Sequence, residues 1–237
     1  MTKLIFACDV SDSRVGDELL TKIAPHIDMV KIGLEAMTAP AKGGGTVGDL
    51  MLTRAMKICE KDVMLDLKIH DVANTMLAAT RNIVNMGVKL FTIHAAASDQ
   101  ALAHVAEAAG SKTMPLAVTV LTDLDDPQSY SRFHASSGKA VRQLAVNARR
   151  WGIRGFVCSP HEARIIRDAI PDAYIVTPGI RPLWAVAKDE QKRVTTPTLA
   201  KQAGADAIVV GRPISRPPLS HTETSAARAI REELDAV

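Results

Sequence analysis

The chain has 237 residues, 47% of them hydrophobic, which is enough for one large domain with a sizeable core. Its net charge of +3 comes from 29 basic and 26 acidic residues mixed along the chain, and implies neither nucleic acid nor an anionic membrane as a partner. Three cysteines, Cys8, Cys59 and Cys158, show no paired spacing and argue against a disulfide framework and for a reducing compartment, while no apolar run approaches the roughly 20 residues of a membrane span.

The N-terminus runs directly into Leu4-Ile5-Phe6-Ala7-Cys8, too short and too poorly flanked for a signal peptide. A soluble, cytoplasmic protein is therefore expected. Strand candidates follow at 4–9, 28–33, 62–68, 88–94, 114–121, 154–158, 173–177 and 206–210. Each is short and too continuously apolar for a sheet with one wet face, as buried parallel strands are. Helical periodicity fills the gaps, for example Asn74 to Met86 and Gln100 to Ala109. Gly87, Gly110, Gly152 and Gly204 stand where helix C-caps belong. Eight strands alternating with about eight helices predict a TIM (β/α)8 barrel, here as a single domain over 1–237. A doubly wound sheet is the alternative, but no G-x-G-x-x-G follows the first strand. Gly43-Gly44-Gly45 punctuates the second βα unit as a loop.

Catalytic groups of a barrel sit at the C-terminal ends of its strands. Those ends carry Asp9, Lys31, Asp66 with Lys68, His94, Thr119 with Thr122, Arg181 and Gly211-Arg212. The segment Asp66-Leu67-Lys68-Ile69-His70-Asp71 sets one ammonium between two carboxylates just after the apolar run Val63-Met64-Leu65. In an extended strand residues two apart share a face, so Asp66 and Lys68 are expected to project together. Each carboxylate at about 4 Å favours the charged lysine by roughly 4 kcal/mol before desolvation. A lysine held protonated fits a proton donor or electrostatic clamp better than Schiff-base chemistry; the bland alternative is a salt-bridge network. Gly211, Arg212-Pro213 and Arg181-Pro182, after strands 7 and 8, suit a phosphate site, against the alternative of surface arginines beside turn prolines. Lysines around the aspartates disfavour a metal, and His70, His94, His104 and His161 lack ligand spacing, so no metal is expected. His70 and His94 read equally well as ordinary strand-end residues.

The ordered set Ala7-Cys8-Asp9, Lys31-Ile32-Gly33, Asp66 through Asn74-Thr75, Val118 through Thr122, Val176 through Pro182 and Ile208 through Pro213 resembles the orotidine 5′-monophosphate decarboxylase family over essentially the whole chain. The resemblance implies a cofactor-free conversion of orotidine 5′-phosphate to uridine 5′-phosphate, the last step of pyrimidine nucleotide synthesis. It implies that Asp66 crowds the departing carboxylate while Lys68 stabilises and then protonates the carbanion. Asp9 and Lys31 would hold the ribose hydroxyls and align the charges, and Thr122 would bind the pyrimidine edge. Arg181, Gln191, Gly211 and Arg212 would grip the phosphate, whose binding can power closure of the intervening loop. The residue matching Asp71, with Thr75 nearby, reaches the neighbouring subunit's active site, which implies a homodimer with shared sites.

Two departures from the family pattern stand out. Ala73 replaces a usual proline, and the loop Leu183 to Gln191 lacks the usual glycines. Trp184 in that loop reads either as a lid anchor or as packing. One rival is a magnesium-dependent sugar-phosphate decarboxylase or aldolase, which would want an acid where Lys31 stands. The other is an inactive phosphate-binding barrel, which would be expected to have lost part of the array Lys31, Asp66, Lys68 and Asp71.

Overall fold

The computed structural model describes residues 1–186 and 195–236. Eight strands, β1 (Lys3–Ala7), β2 (Met29–Gly33), β3 (Asp62–Ile69), β4 (Leu90–His94), β5 (Met114–Val118), β6 (Gly155–Val157), β7 (Tyr174–Thr177) and β8 (Ala207–Val210), follow one another in chain order and close into a barrel. The expected fold is the observed one. Some strands are shorter than the apolar runs predict: β1 stops at Ala7 and β5 at Val118. Val120 is as buried as a strand residue but lies beyond the ladder, so apolar composition does not mark where pairing stops.

The chain divides into two compact units. One comprises Met1–Asp66, Gly179–Gln202 and Asp206–Val237. Its strands pair in parallel, with Ala7 opposite Lys31 and Gly33 opposite Asp66. Leu4, Ile5 and Phe6 are wholly buried because both faces of β1 are covered. Helices α1 (Ser13–Ile23), α2 (Leu34–Thr38) and α3 (Val47–Thr53) follow β1 and β2. The Asp12 side chain caps α1 by accepting from Arg14 N–H, and Leu19, Leu20 and Ile23 form its buried stripe. A capping box of Thr46 and Asp49 starts α3.

The second unit comprises Leu67–Pro178 and Ala203–Ala205. It contains α4 (Ala73–Met86), α5 (Asp99–Ala109), α6 (Asp126–Phe133), α7 (Ser137–Arg150) and α8 (Ala163–Ala169). Gly87 takes the left-handed conformation (φ 74°) that ends α4, as its place in the sequence predicts, and donates to the Val84 carbonyl. Phe91, Phe156 and Ile175 are wholly buried on β4, β6 and β7. Arg167 donates to the carbonyls of Pro171, Ala173 and Gly204, tying the end of α8 to the segment that precedes β8.

The first unit is completed by α9 (Pro197–Gln202), α10 (Arg212–Ser215) and α11 (Glu223–Asp235). Ala226, Ala227, Ile230 and Leu234 bury the inner face of α11. Arg231 of α11 meets Asp28 at 2.7 Å and donates to the Thr2 carbonyl at 2.9 Å, while Asp28 also accepts from Leu4 N–H. The last helix is thereby fastened to the start of β1 and the approach to β2.

Ala73 occupies the first position of α4, where proline is favoured, and Val72 before it is extended (φ −66°, ψ 156°), as a residue preceding proline must be. Ala73→Pro should therefore stabilise the chain by about 0.5–1 kcal/mol by restricting the unfolded state. Calorimetry should show Tm rising by about 1–4 °C; a fall would mean that the Ala73 N–H or φ is needed as it is.

Candidate active site

The charge array predicted at the strand ends is centred, in the first unit, on Lys31. Its Nζ lies 2.8 Å from Asp9 Oδ1 and 3.4 Å from Asp66 Oδ2. Lys31 and Asp66 are only 8% and 9% exposed, whereas Asp9 is open to solvent. The strand register explains the meeting: Lys31 lies opposite Ala7, two residues before Asp9, and Asp66 lies opposite Gly33, two residues after Lys31. Removing such charges from water is costly, and each carboxylate offsets part of that for the ammonium.

Gly33 makes the array possible. A Cβ there would sit 2.9 Å from Lys31 Nζ and 3.1 Å from Asp9 Oδ1, so any side chain would displace the ion pair. In the sequence this glycine looks like an ordinary strand-end turn, and its role is visible only in three dimensions. Cys8 beside it is no nucleophile: burial, reinforced by the Asp9 charge, pushes its thiol up to about 12.

In the second unit, Lys68 of β3 has an unusual backbone conformation. Its φ is +50°, the left-handed region, which costs a side-chain-bearing residue about 1–2 kcal/mol. The Lys68 N–H donates to Thr92 Oγ1 at 2.8 Å. His94, at the end of β4, stacks on His70 with ring centroids 5.0 Å apart. Burial, and then the charges of His70 and Lys68, hold His94 below the usual imidazole range, so it is neutral at pH 7. Its Nδ1 accepts from the Ala96 N–H.

Asp71 and Thr75 are exposed around the first turn of α4, with Val72 between them 68% exposed. Asp71 accepts from the Val72 N–H. Thr119 is wholly buried and its hydroxyl donates to the Val157 carbonyl, so it serves the β5–β6 ladder rather than an open mouth. Thr122 is exposed, four residues beyond β5.

The predicted phosphate residues Arg181 and Arg212 line one cavity of about 320 Å³. A second cavity, of about 340 Å³, joins Asp9 to Gly211 and Arg212. Arg216 lines both and was missed by the sequence reading, although Arg216-Pro217 repeats the Arg-Pro pattern of the other two arginines. Ile180 pairs with Thr195, and Arg181 N–H donates to the Thr195 carbonyl. Trp184 stacks on His221 with centroids 4.1 Å apart at the near end of its loop, a contact that both packing and anchoring would make. Gln191 lies outside the described residues.

A closed parallel barrel with charged side chains gathered where its strands end is the architecture of the (β/α)8-barrel enzymes. The chain belongs to the orotidine 5′-phosphate decarboxylase / HUMPS family, whose model matches residues 2–229. An orotidine 5′-phosphate decarboxylase of Geotalea uraniireducens is 37% identical, the match covering 99% of this chain and 96% of that protein. The namesake in Moorella thermoacetica is also 37% identical, over 99% and 93% of the two chains. Among solved structures, orotidine 5′-phosphate decarboxylase from Lactobacillus acidophilus superposes with a TM-score of 0.79 at 29% identity, over 99% of this chain and all of that one.

Gly33→Ala should force Lys31 and Asp9 apart and destabilise the protein by about 1–3 kcal/mol. Denaturant unfolding measures this directly; an unchanged midpoint would show that the array has room for a methyl group.

Proposed function

We propose that this chain decarboxylates orotidine 5′-phosphate to uridine 5′-phosphate without a cofactor, as the last step of pyrimidine nucleotide synthesis. The observation that carries the proposal is the Asp9–Lys31–Asp66 array, with Lys31 and Asp66 buried and Asp9 facing solvent, fixed charge set before any substrate arrives. Loss of CO₂ leaves an electron pair on a ring carbon with no conjugated sink. A protein can lower that barrier only by stabilising the developing charge more than it stabilises the substrate, and preorganised charges do so without reorganising during the reaction.

On this proposal Asp66 crowds the substrate carboxylate, and the Lys68 ammonium stabilises the carbanion. Lys68 then transfers its proton to the ring carbon, whose electron pair forms the new C–H bond. Lys31 and Asp9 hold the ribose hydroxyls, and Thr122 meets the pyrimidine edge. Arg181, Gly211 and Arg212 take the phosphate, supported by their place on the walls of two adjoining cavities. A phosphate dianion suits paired guanidinium forks.

The same proposal makes residues 1–237 one cytoplasmic catalytic domain acting as a homodimer. Asp71 and Thr75 would complete the site of the partner subunit. Their exposure at the start of α4, beside the uncovered apolar Val72, supports this.

Purified protein should convert orotidine 5′-phosphate to uridine 5′-phosphate, followed by ultraviolet absorbance, at the same rate with and without EDTA. Lys68→Ala should lower kcat by about 10³-fold or more while leaving uridine 5′-phosphate binding within about threefold. Turnover by Lys68→Ala near the wild-type rate would sink the mechanism, and loss of turnover on chelation would redirect it to a metal.

Equal amounts of Lys68→Ala and Asp71→Ala subunits, each inactive alone, should together recover about a quarter of the activity. Half of the dimers formed are hybrids, each with one complete site. No recovery after verified subunit exchange would remove Asp71 from the partner's site.

A further inference from the structure

The structure assigns to Thr92 the positioning of Lys68: its hydroxyl oxygen holds the lysine backbone in the left-handed turn that aims the ammonium. This inference rests on the proposed decarboxylation, in which Lys68 is the proton donor. Three observations carry it.

Lys68 is one of three residues other than glycine with positive φ among the described residues, and the others, Glu60 and His134, lie outside the strands. A left-handed residue inside a strand persists only where its surroundings over-determine it, and such conformers concentrate at functional positions. The surroundings here include a specific bond, Lys68 N–H to Thr92 Oγ1 at 2.8 Å.

Thr92 is itself placed for this purpose. It is 1% exposed in the middle of β4, between the wholly buried Phe91 and Ile93. It lies opposite Leu116 of β5, so its backbone is fixed by the ladder. A β-branched side chain is stiff at χ1, which fixes the oxygen in turn. Valine would fill the same space without bringing a hydroxyl out of water, so packing alone gives no reason for threonine here. Thr119 and Thr80 provide the contrast: their buried hydroxyls donate to main-chain carbonyls of Val157 and Met76, which is ordinary structural use. Thr92 accepts from the main chain of the residue proposed to do the chemistry.

The consequence concerns rate rather than affinity. With the acceptor removed, the Lys68 backbone is free to relax toward the extended conformation normal for a strand, which redirects its Cα–Cβ bond. Displacement of a reacting group by about 1 Å is enough to cost about 10²-fold in rate. The phosphate and ribose contacts do not involve Lys68, so substrate binding is spared.

The test is steady-state kinetics on orotidine 5′-phosphate with Thr92→Val, Thr92→Ala and Thr92→Ser, together with hydrogen exchange of the Lys68 amide read by NMR. Thr92→Val should lower kcat by about 10–100-fold with KM within about threefold. Thr92→Ser, which keeps the oxygen, should restore most of that loss. The Lys68 amide should exchange at least about tenfold faster in Thr92→Val and remain protected in Thr92→Ser. Thr92→Ala supplies the same comparison should the valine variant not fold. Wild-type kcat in Thr92→Val or Thr92→Ala overturns the inference, as does a loss that Thr92→Ser fails to restore or one shared equally by KM. A wild-type protein without turnover would instead defeat the proposed reaction, and amide exchange would then decide by itself whether Thr92 holds Lys68: unaltered protection in the variants overturns the inference.

Discussion

The first unit's charged strand ends are organised around one ammonium group held out of water between two carboxylates. Lys31 and Asp66 are almost fully enclosed, and a charge so enclosed is tolerable only when its partners are already in place. That requirement runs backward into the fold. It needs adjacent strands β1, β2 and β3 in a set register, and it needs Gly33 to leave empty the volume that a side chain would take. The same rigidity makes the array useful for chemistry, since charges that cannot move need no reorganisation when a reaction creates a new one.

The second unit carries a lysine whose backbone is itself constrained. Lys68 sits in a left-handed conformation and its N–H is held by a threonine hydroxyl. The ring of His94 adds a neutral surface nearby, because burial and the neighbouring positive charges keep its proton off. A charge on the half-buried ring would be disfavoured by its loss of hydration, so the histidine contributes shape without contributing charge.

Much of the fold is legible in the sequence because buried parallel strands are apolar on both faces, and eight such runs separated by helical periods leave few alternatives. The residues at the ends of those runs were legible for the same reason: Asp9, Lys31 and Asp66 interrupt apolar segments where charge is expensive. What escaped notice depends on features without a sequence signature. Thr92 is hidden inside an apolar run as another β-branched residue, and Gly33 looks like any glycine at a strand end. The left-handed conformation of Lys68 has no signature either, since positive φ at a lysine is too rare to expect from residue type. Thr119 stood in the right place but turned out to serve a ladder bond, since a polar residue at a strand end has two possible employers, the solvent side and the neighbouring strand.

The fastening of Arg231 to Asp28 and the Thr2 carbonyl bears on how the chain is made as well as on how it is held. The unit that carries Lys31 is assembled from the first 66 residues and from segments after Gly179, while Leu67–Pro178 supplies nearly all of the other unit as one continuous stretch. During synthesis the middle of the chain can condense as it emerges, because its partners are close in sequence. The N-terminal strands cannot do so: the helix that covers them and the arginine that fastens them come after the whole of that continuous stretch. The bonds that complete the first unit join residues 203 and 229 positions apart, so its native packing depends on partners far along the chain.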